Sequence, residues 1–114
     1  MNRPMSRHSA LCLAVRQWLE LHGCVSFPVK QMATPRYRRD GSVVYVRGAL
    51  RRGVSDVCAC GPTGKFIAVE VKIGRDKLRP EQSEFLDLVI DRGGLAVVCH
   101  DNLDNLIAAE ALIR

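Results

Sequence analysis

The sequence predicts an α/β sandwich built on a mixed sheet. Three observations lead there. Two segments carry apolar residues at helical spacing, and several short β-rich runs are separated by Gly and Pro turns. Together with a final helix these give the order helix, three or four strands, helix, strand, helix.

From Ser9 to His22, Leu11, Val15, Trp18 and Leu19 recur at three- and four-residue intervals with Ala14 and Leu21 beside them, as on one helix face. Ser6 or Ser9 can cap the start, and Gly23 supplies a left-handed end. "CVSFPVKQ" reads as a first strand, with Pro28 marking an edge or a bulge. Asp40-Gly41 predicts a hairpin turn between Arg36 to Arg39 and Val43 to Arg47. "VSDVCAC" and "KFIAVEVKI" follow as strands joined by the breaker "GPTG". In "RPEQSEFLDLVIDRGG", Pro80 suits the first turn of a helix, Glu81 and Glu84 suit its positive end, and Gly93-Gly94 stop it. Its apolar stripe is Phe85, Leu86, Leu88 and Val89. "LAVVCH" is a short buried strand, and Asp101 or Asn102 can cap a last helix through Ile113.

A chain of 114 residues suits one domain, 1–114, with one core. Its composition is that of a globular protein, 47% hydrophobic and 25% charged, and no repeat or linker is visible. The net charge of +5 suits an anionic partner, nucleic acid being the commonest, although basic proteins that bind none also exist. No apolar run approaches the ~20 residues of a membrane helix, and the N-terminus lacks the pattern of a signal peptide, so the expected location is the cytoplasm. The five cysteines, Cys12, Cys24, Cys58, Cys60 and Cys99, sit mostly among apolar neighbours, as reduced core thiols do. Cys58 and Cys60 form C-x-C, with no second pair at zinc spacing.

The run "TPRYRRDGSVVYVRGALRRG" concentrates Arg36, Arg38, Arg39, Arg47, Arg51 and Arg52 against a single acid, Asp40, and interleaves Tyr37 and Tyr45. Such a segment can grip a phosphate backbone and stack on bases, or it can be a solvated hairpin. Lys77 extends the same candidate DNA-binding set beyond the strands.

"IAVEVK" breaks an otherwise apolar strand with Glu70 and Lys72, which alternation places on one face, opposite Val69, Val71 and Ile73. The "GPTG" turn folds the preceding strand back antiparallel, which brings Asp56 toward Glu70. Two carboxylates held close repel, and a hard divalent cation relieves the repulsion. A lysine beside that ion can orient an attacking water and neutralise charge on a phosphate, as metal-assisted phosphodiester hydrolysis requires. The plain alternative is a Glu70/Lys72 pair on an exposed sheet face.

"GVSD", "AVEVK" and "RPEQSEFLDLVIDRGGLAVVCHD", in that order from about Arg52 to Asp101, resemble the VRR-NUC domain of virus-type replication-repair nucleases, within the PD-(D/E)xK nuclease superfamily. The resemblance implies a restriction-endonuclease-like three-layer sandwich with a central mixed sheet flanked by helices. It also implies a Mg²⁺- or Mn²⁺-dependent DNA endonuclease with Asp56, Glu70 and the carbonyl of Val71 as metal ligands. Lys72 would be the catalytic lysine and Gln82 would act near the site. Pro80 and Gly53 would be structural. Stand-alone domains of this family in phages and bacteria include homodimers that cleave branched DNA such as four-way junctions, so a homodimer acting in DNA repair, in a bacterial or phage-infected cell, is expected by resemblance.

Two departures stand out. Ser55 replaces the motif proline, and the acid expected early in the first helix falls near His8 and Ser9, neither of them acidic. Glu20, His8 or nothing can stand in for it. The second functional reading is therefore a non-catalytic nucleic-acid-binding module retaining the fold; a third is a basic interaction domain with a structural Glu70/Lys72 pair.

Overall fold

The computed structural model describes residues 3–29, 34–46 and 51–114. Helix α1 spans Arg7–Leu21, and Ser6 caps it by accepting from the Ser9 N–H at 3.1 Å. Between the two capping serines, Ser6 is the one used. Leu11, Val15 and Leu19, each four residues apart, form its buried stripe.

Strands β1 (Val25–Pro28), β4 (Val57–Cys60), β5 (Phe66–Lys72) and β6 (Leu95–His100) make one sheet in the order β1-β4-β5-β6. β1 lies at the edge, where Pro28, unable to donate a ladder bond, is tolerated. β4 runs antiparallel to β5, as the turn predicts, while β5 and β6 are parallel across helix α2 (Pro80–Asp91), so the sheet is mixed. β5 is buried at six of its seven positions because helices cover both faces. Leu11, Val15, Leu19, Val69, Val71 and Leu106 share a core on one face, and Ala68 packs with Leu86 and Val89 of α2 on the other. The layers are thus α1 with α3 (Asp104–Ala108), then the sheet, then α2.

The last helix is shorter than expected. α3 ends at Ala108 and a 3-10 turn, Glu110–Leu112, carries the chain to the buried Ile113. Leu103, and neither Asp101 nor Asn102, takes the N-cap position; Asn102 lies one residue earlier and accepts from the Asp104 N–H at 3.0 Å.

Strands β2 (Thr34–Tyr37) and β3 (Val43–Val46) form a separate antiparallel hairpin. Its turn is wider than the two-residue one expected. Tyr37 pairs with Val43, and Asp40 organises the loop by accepting from the N–H and hydroxyl of Ser42, at 2.8 and 2.6 Å. Arg38 and Arg39 therefore sit in the loop and not in the strand. Among the described elements, β2 and β3 make their extensive contacts only with each other. The radius of gyration, 16.1 Å, exceeds the about 13 Å usual for this length, as a body carrying an arm requires.

Candidate active site

The site lies where β4 begins and β5 ends. β4 begins only at Val57, so the N–H of Val71 finds no strand partner there and donates to Asp56 Oδ2 at 2.9 Å. The N–H and C=O of one strand residue point the same way, so the Val71 carbonyl is directed to that edge too. The Asp56 carbonyl accepts from the Val29 N–H at 2.9 Å, fixing the loop at the end of β1. Asp56 therefore precedes its strand instead of opening it.

Glu70 and Lys72 share the α2 face of β5, as alternation predicts, but that face is not exposed. Glu70 is 2% and Lys72 4% accessible. Lys72 Nζ lies 3.9 Å from Glu70 Oε1 and 3.5 Å from Asp76 Oδ2. Gln82, at the third position of α2, does two jobs. Its Oε1 accepts from the Arg79 N–H at 2.9 Å, which caps the helix, and its Nε2 donates to Glu70 Oε1 at 3.2 Å. Gln82 is thus tied to Glu70 and does not simply face solvent.

Gly53 makes this docking possible. It has φ +78°, and a Cβ there would come within 2.1 Å of the Glu81 carbonyl oxygen. A side chain would push the 51–55 loop off the first turn of α2, and with it Gln82.

One atom of this arrangement lacks a partner: Glu70 Oε2 is fully buried and makes no hydrogen bond. Leaving a buried acceptor unsatisfied costs about 1–3 kcal/mol, more if it is charged. Burial first, and then the neighbouring Asp56 carboxylate, push the Glu70 carboxyl up to about 9, against the smaller opposing pull of Lys72 and Arg79. A carboxyl raised this way resists ionising until a positive charge arrives beside it. The orphaned oxygen, the second carboxylate and the carbonyl are all oxygen donors, the set a hard divalent ion takes. Asp56, Glu70 and Val71 therefore fit the metal-ligand assignment.

Near the start of α1, His8 Nε2 lies 3.5 Å from Asp56 Oδ1. Glu20, about 18 Å further along the helix, instead accepts from the Ser26 N–H at 2.6 Å. Cys12, read in the sequence as a core thiol, is half-buried one turn from His8, with Sγ 3.9 Å from His8 Nδ1. Burial, then the charges of Asp56 and Glu70, hold its thiol up at about 11. All five cysteines are free.

Four further residues contribute, of which the sequence marks only Asp101, and that as a helix cap. Asp76 faces Lys72. Asp101, at φ +65°, accepts from the Gly74 N–H at 2.8 Å and from Arg7 at 3.4 Å, while its own N–H donates to the Lys72 carbonyl at 2.9 Å. It ties the exit of β5 to the start of α1. Arg75 and Arg79 join Lys77 as exposed cations on the loop between β5 and α2. The available signals were Cys12 four residues after His8, and an Asp, a residue that tolerates positive φ, directly after a strand.

The candidate DNA-binding residues divide into two groups. Arg51 and Arg52 are exposed on the loop that leads to Asp56, with Lys77 exposed beyond Lys72. Arg36, Arg38, Arg39 and Tyr37 are exposed on the hairpin arm. Arg47 and the side chain of Tyr45 lie outside the described residues.

No helix among the described residues is long and apolar enough to cross a membrane. A comparison with curated proteins finds no match. Among solved structures, one titled "VRR_NUC domain" superposes with a TM-score of 0.59 at 16% identity, covering 92% of this chain and 95% of that one. At that identity it supports the fold. The family model for the VRR-NUC domain matches residues 11–102, taking in α1 from Leu11 onward, both candidate carboxylates, Lys72 and Gln82. The chain belongs to the VRR-NUC family and is a nuclease-type domain that acts on nucleic acid.

Proposed function

We propose that this domain is a Mg²⁺- or Mn²⁺-dependent endodeoxyribonuclease that hydrolyses DNA phosphodiester bonds, with a preference for branched DNA such as four-way junctions. The observation that carries the reading is the buried, partnerless Glu70 Oε2 beside Asp56 and Lys72. Asp56, Glu70 and the Val71 carbonyl hold the ion. When bound, a hard divalent ion supplies Lewis-acid polarisation of the phosphoryl oxygen and lowers the pKa of a coordinated water.

The chain's own residues do the rest. Lys72, held between Glu70 and Asp76, orients the attacking water and faces the charge that develops on the phosphate. Gln82 fixes the Glu70 carboxylate, and the N-terminus of α2 that it caps adds a positive dipole end favourable to phosphate. Arg51, Arg52 and Lys77 flank the two carboxylates and guide the backbone into place. The arm, with Arg36, Arg38, Arg39 and Arg47, grips a neighbouring duplex segment, so binding weakens steeply as salt rises.

A homodimer supplies the second centre needed to cut two strands of a symmetric junction. Support comes from the α2 side of the sheet, where Val25 and Phe27 of the edge strand β1 and Phe66 of β5 are exposed large apolar residues. The natural setting of such an enzyme is DNA repair or replication in the cytoplasm of a bacterium or a phage-infected cell.

His8 at the place of the helix acid favours a second reading, a nucleic-acid-binding module that no longer cuts. One assay separates the two. A labelled four-way junction and its linear duplex are incubated with Mg²⁺, Mn²⁺ or EDTA, using wild type and Lys72→Ala. The nuclease reading expects metal-dependent cutting that prefers the junction and falls by at least about 10³-fold in the variant. Binding without cutting under every metal supports the module, and equal cutting of both substrates removes the branched preference.

A further inference from the structure

We infer that His8, Cys12 and Asp56 form a second metal site, for a borderline ion of the zinc class, which shares Asp56 with the oxygen-lined position at Glu70. One ligand atom from each of the three lies within 4.8 Å of the other two. His8 Nε2 is 3.5 Å from Asp56 Oδ1, and His8 Nδ1 is 3.9 Å from Cys12 Sγ. Ligand atoms in a tetrahedral zinc site are about 3.5 Å apart, given bonds of roughly 2.0–2.3 Å. The two short contacts use opposite nitrogens of the His8 ring, so coordination through a single nitrogen, all three ligand atoms then lying within 4.8 Å of one another, requires the imidazole to turn.

Their supports are independent. His8 and Cys12 are one turn apart on α1, whose first turn is anchored by the Ser6 cap. Asp56 comes from a loop fixed by its bond from the Val71 N–H, which occupies Oδ2 and leaves Oδ1 turned toward His8. A cavity of about 360 Å³, lined by His8, Cys12, Asp56, Met5, Arg16 and Pro28, gives access and room for a water as fourth ligand. Arg16 does not compete for the position, since its guanidinium is turned to Ser26, 3.4 Å from the hydroxyl.

Ligand chemistry decides the ion. Imidazole and thiolate select zinc-class metals, whereas Mg²⁺ requires oxygen. On binding, the Cys12 thiol releases its proton to solvent, a neutral His8 nitrogen donates its lone pair, and Asp56 contributes one oxygen. No redox change is involved. The inference stands on α1 and Asp56 and does not depend on DNA cleavage.

Cobalt(II) is the probe. Titrated into the full chain, it should give one equivalent of tetrahedral visible absorption with a thiolate-to-cobalt charge-transfer band, and Zn²⁺ should displace it. Cys12→Ser should abolish the charge-transfer band, and His8→Gln, at an exposed position, should weaken binding by at least about tenfold. Glu70→Gln should leave the cobalt spectrum unchanged, which separates this site from the proposed Mg²⁺ position. Absence of a thiolate band in wild type overturns the inference. So does a band that survives in Cys12→Ser, or unchanged affinity in His8→Gln.

Discussion

The two faces of β5 are both buried, yet they are built from opposite chemistry. Ile67, Val69 and Val71 enter the core under α1 and α3, where each buried side chain adds roughly 1.5–3 kcal/mol. Ala68, Glu70 and Lys72 lie on the α2 face, where a carboxylate oxygen has no partner and the lysine sits 3.9 Å from the acid. Apolar burial is self-sufficient, while a buried charge without a partner is costly. The first face explains why the strand is central; the second is what the proposed metal site requires.

Breaking the support under the polar face should have the largest effect. Gly53→Ala combines a positive φ with a Cβ 2.1 Å from the Glu81 carbonyl, and should cost about 3 kcal/mol in urea unfolding. It should also reduce cleavage, because Gln82 leaves Glu70. Val69→Ala acts on the other face. It should cost about 2 kcal/mol, seen as a lower urea midpoint, while kcat of the folded enzyme is unchanged. A loss of kcat as large as that of Lys72→Ala would show that the two faces are not functionally separate.

Ser55 sharpens the contrast further, because its buried hydroxyl is also without a partner. It stands where the resemblance expects proline, a residue with no hydroxyl. Ser55→Ala should therefore raise the urea midpoint by the equivalent of about 1 kcal/mol and leave cleavage intact. A fall in cleavage would give that hydroxyl a role in the site.

Much of this arrangement was legible in the sequence. Alternation placed Glu70 and Lys72 together, "GPTG" set β4 antiparallel, and motif order supplied the family. Other features depended on distances across the chain. Nothing local indicates that Asp56 replaces a backbone partner for Val71, that Gln82 caps a helix while holding Glu70, or that the Asp101 turn reaches Arg7. His8 and Cys12 carried a helical spacing, but their meaning required Asp56, 44 residues beyond Cys12, to arrive beside them. The last helix was overextended because its apolar residues continue into a 3-10 turn, which periodicity alone does not separate from a helix. The arm's turn was drawn too tight because the Asp40 side chain, and not the Asp-Gly backbone alone, shapes the loop.

If Asp56 and Glu70 hold a divalent ion, Glu70 is destabilising until that ion binds. Its carboxyl rises from 4.5 to about 9 on folding, so across that window the native state keeps a proton that the unfolded chain has released. Each rise in pH therefore weakens the metal-free fold; below the window both states are protonated and the effect vanishes. Thermal melts of wild type and Glu70→Gln between about pH 5 and 9, with Mn²⁺ or with EDTA, test this directly. In EDTA, wild type should lose stability relative to Glu70→Gln as pH rises, and Mn²⁺ should restore wild type while leaving the variant nearly unmoved. Parallel pH curves, with no Mn²⁺ shift that depends on Glu70, would contradict the account.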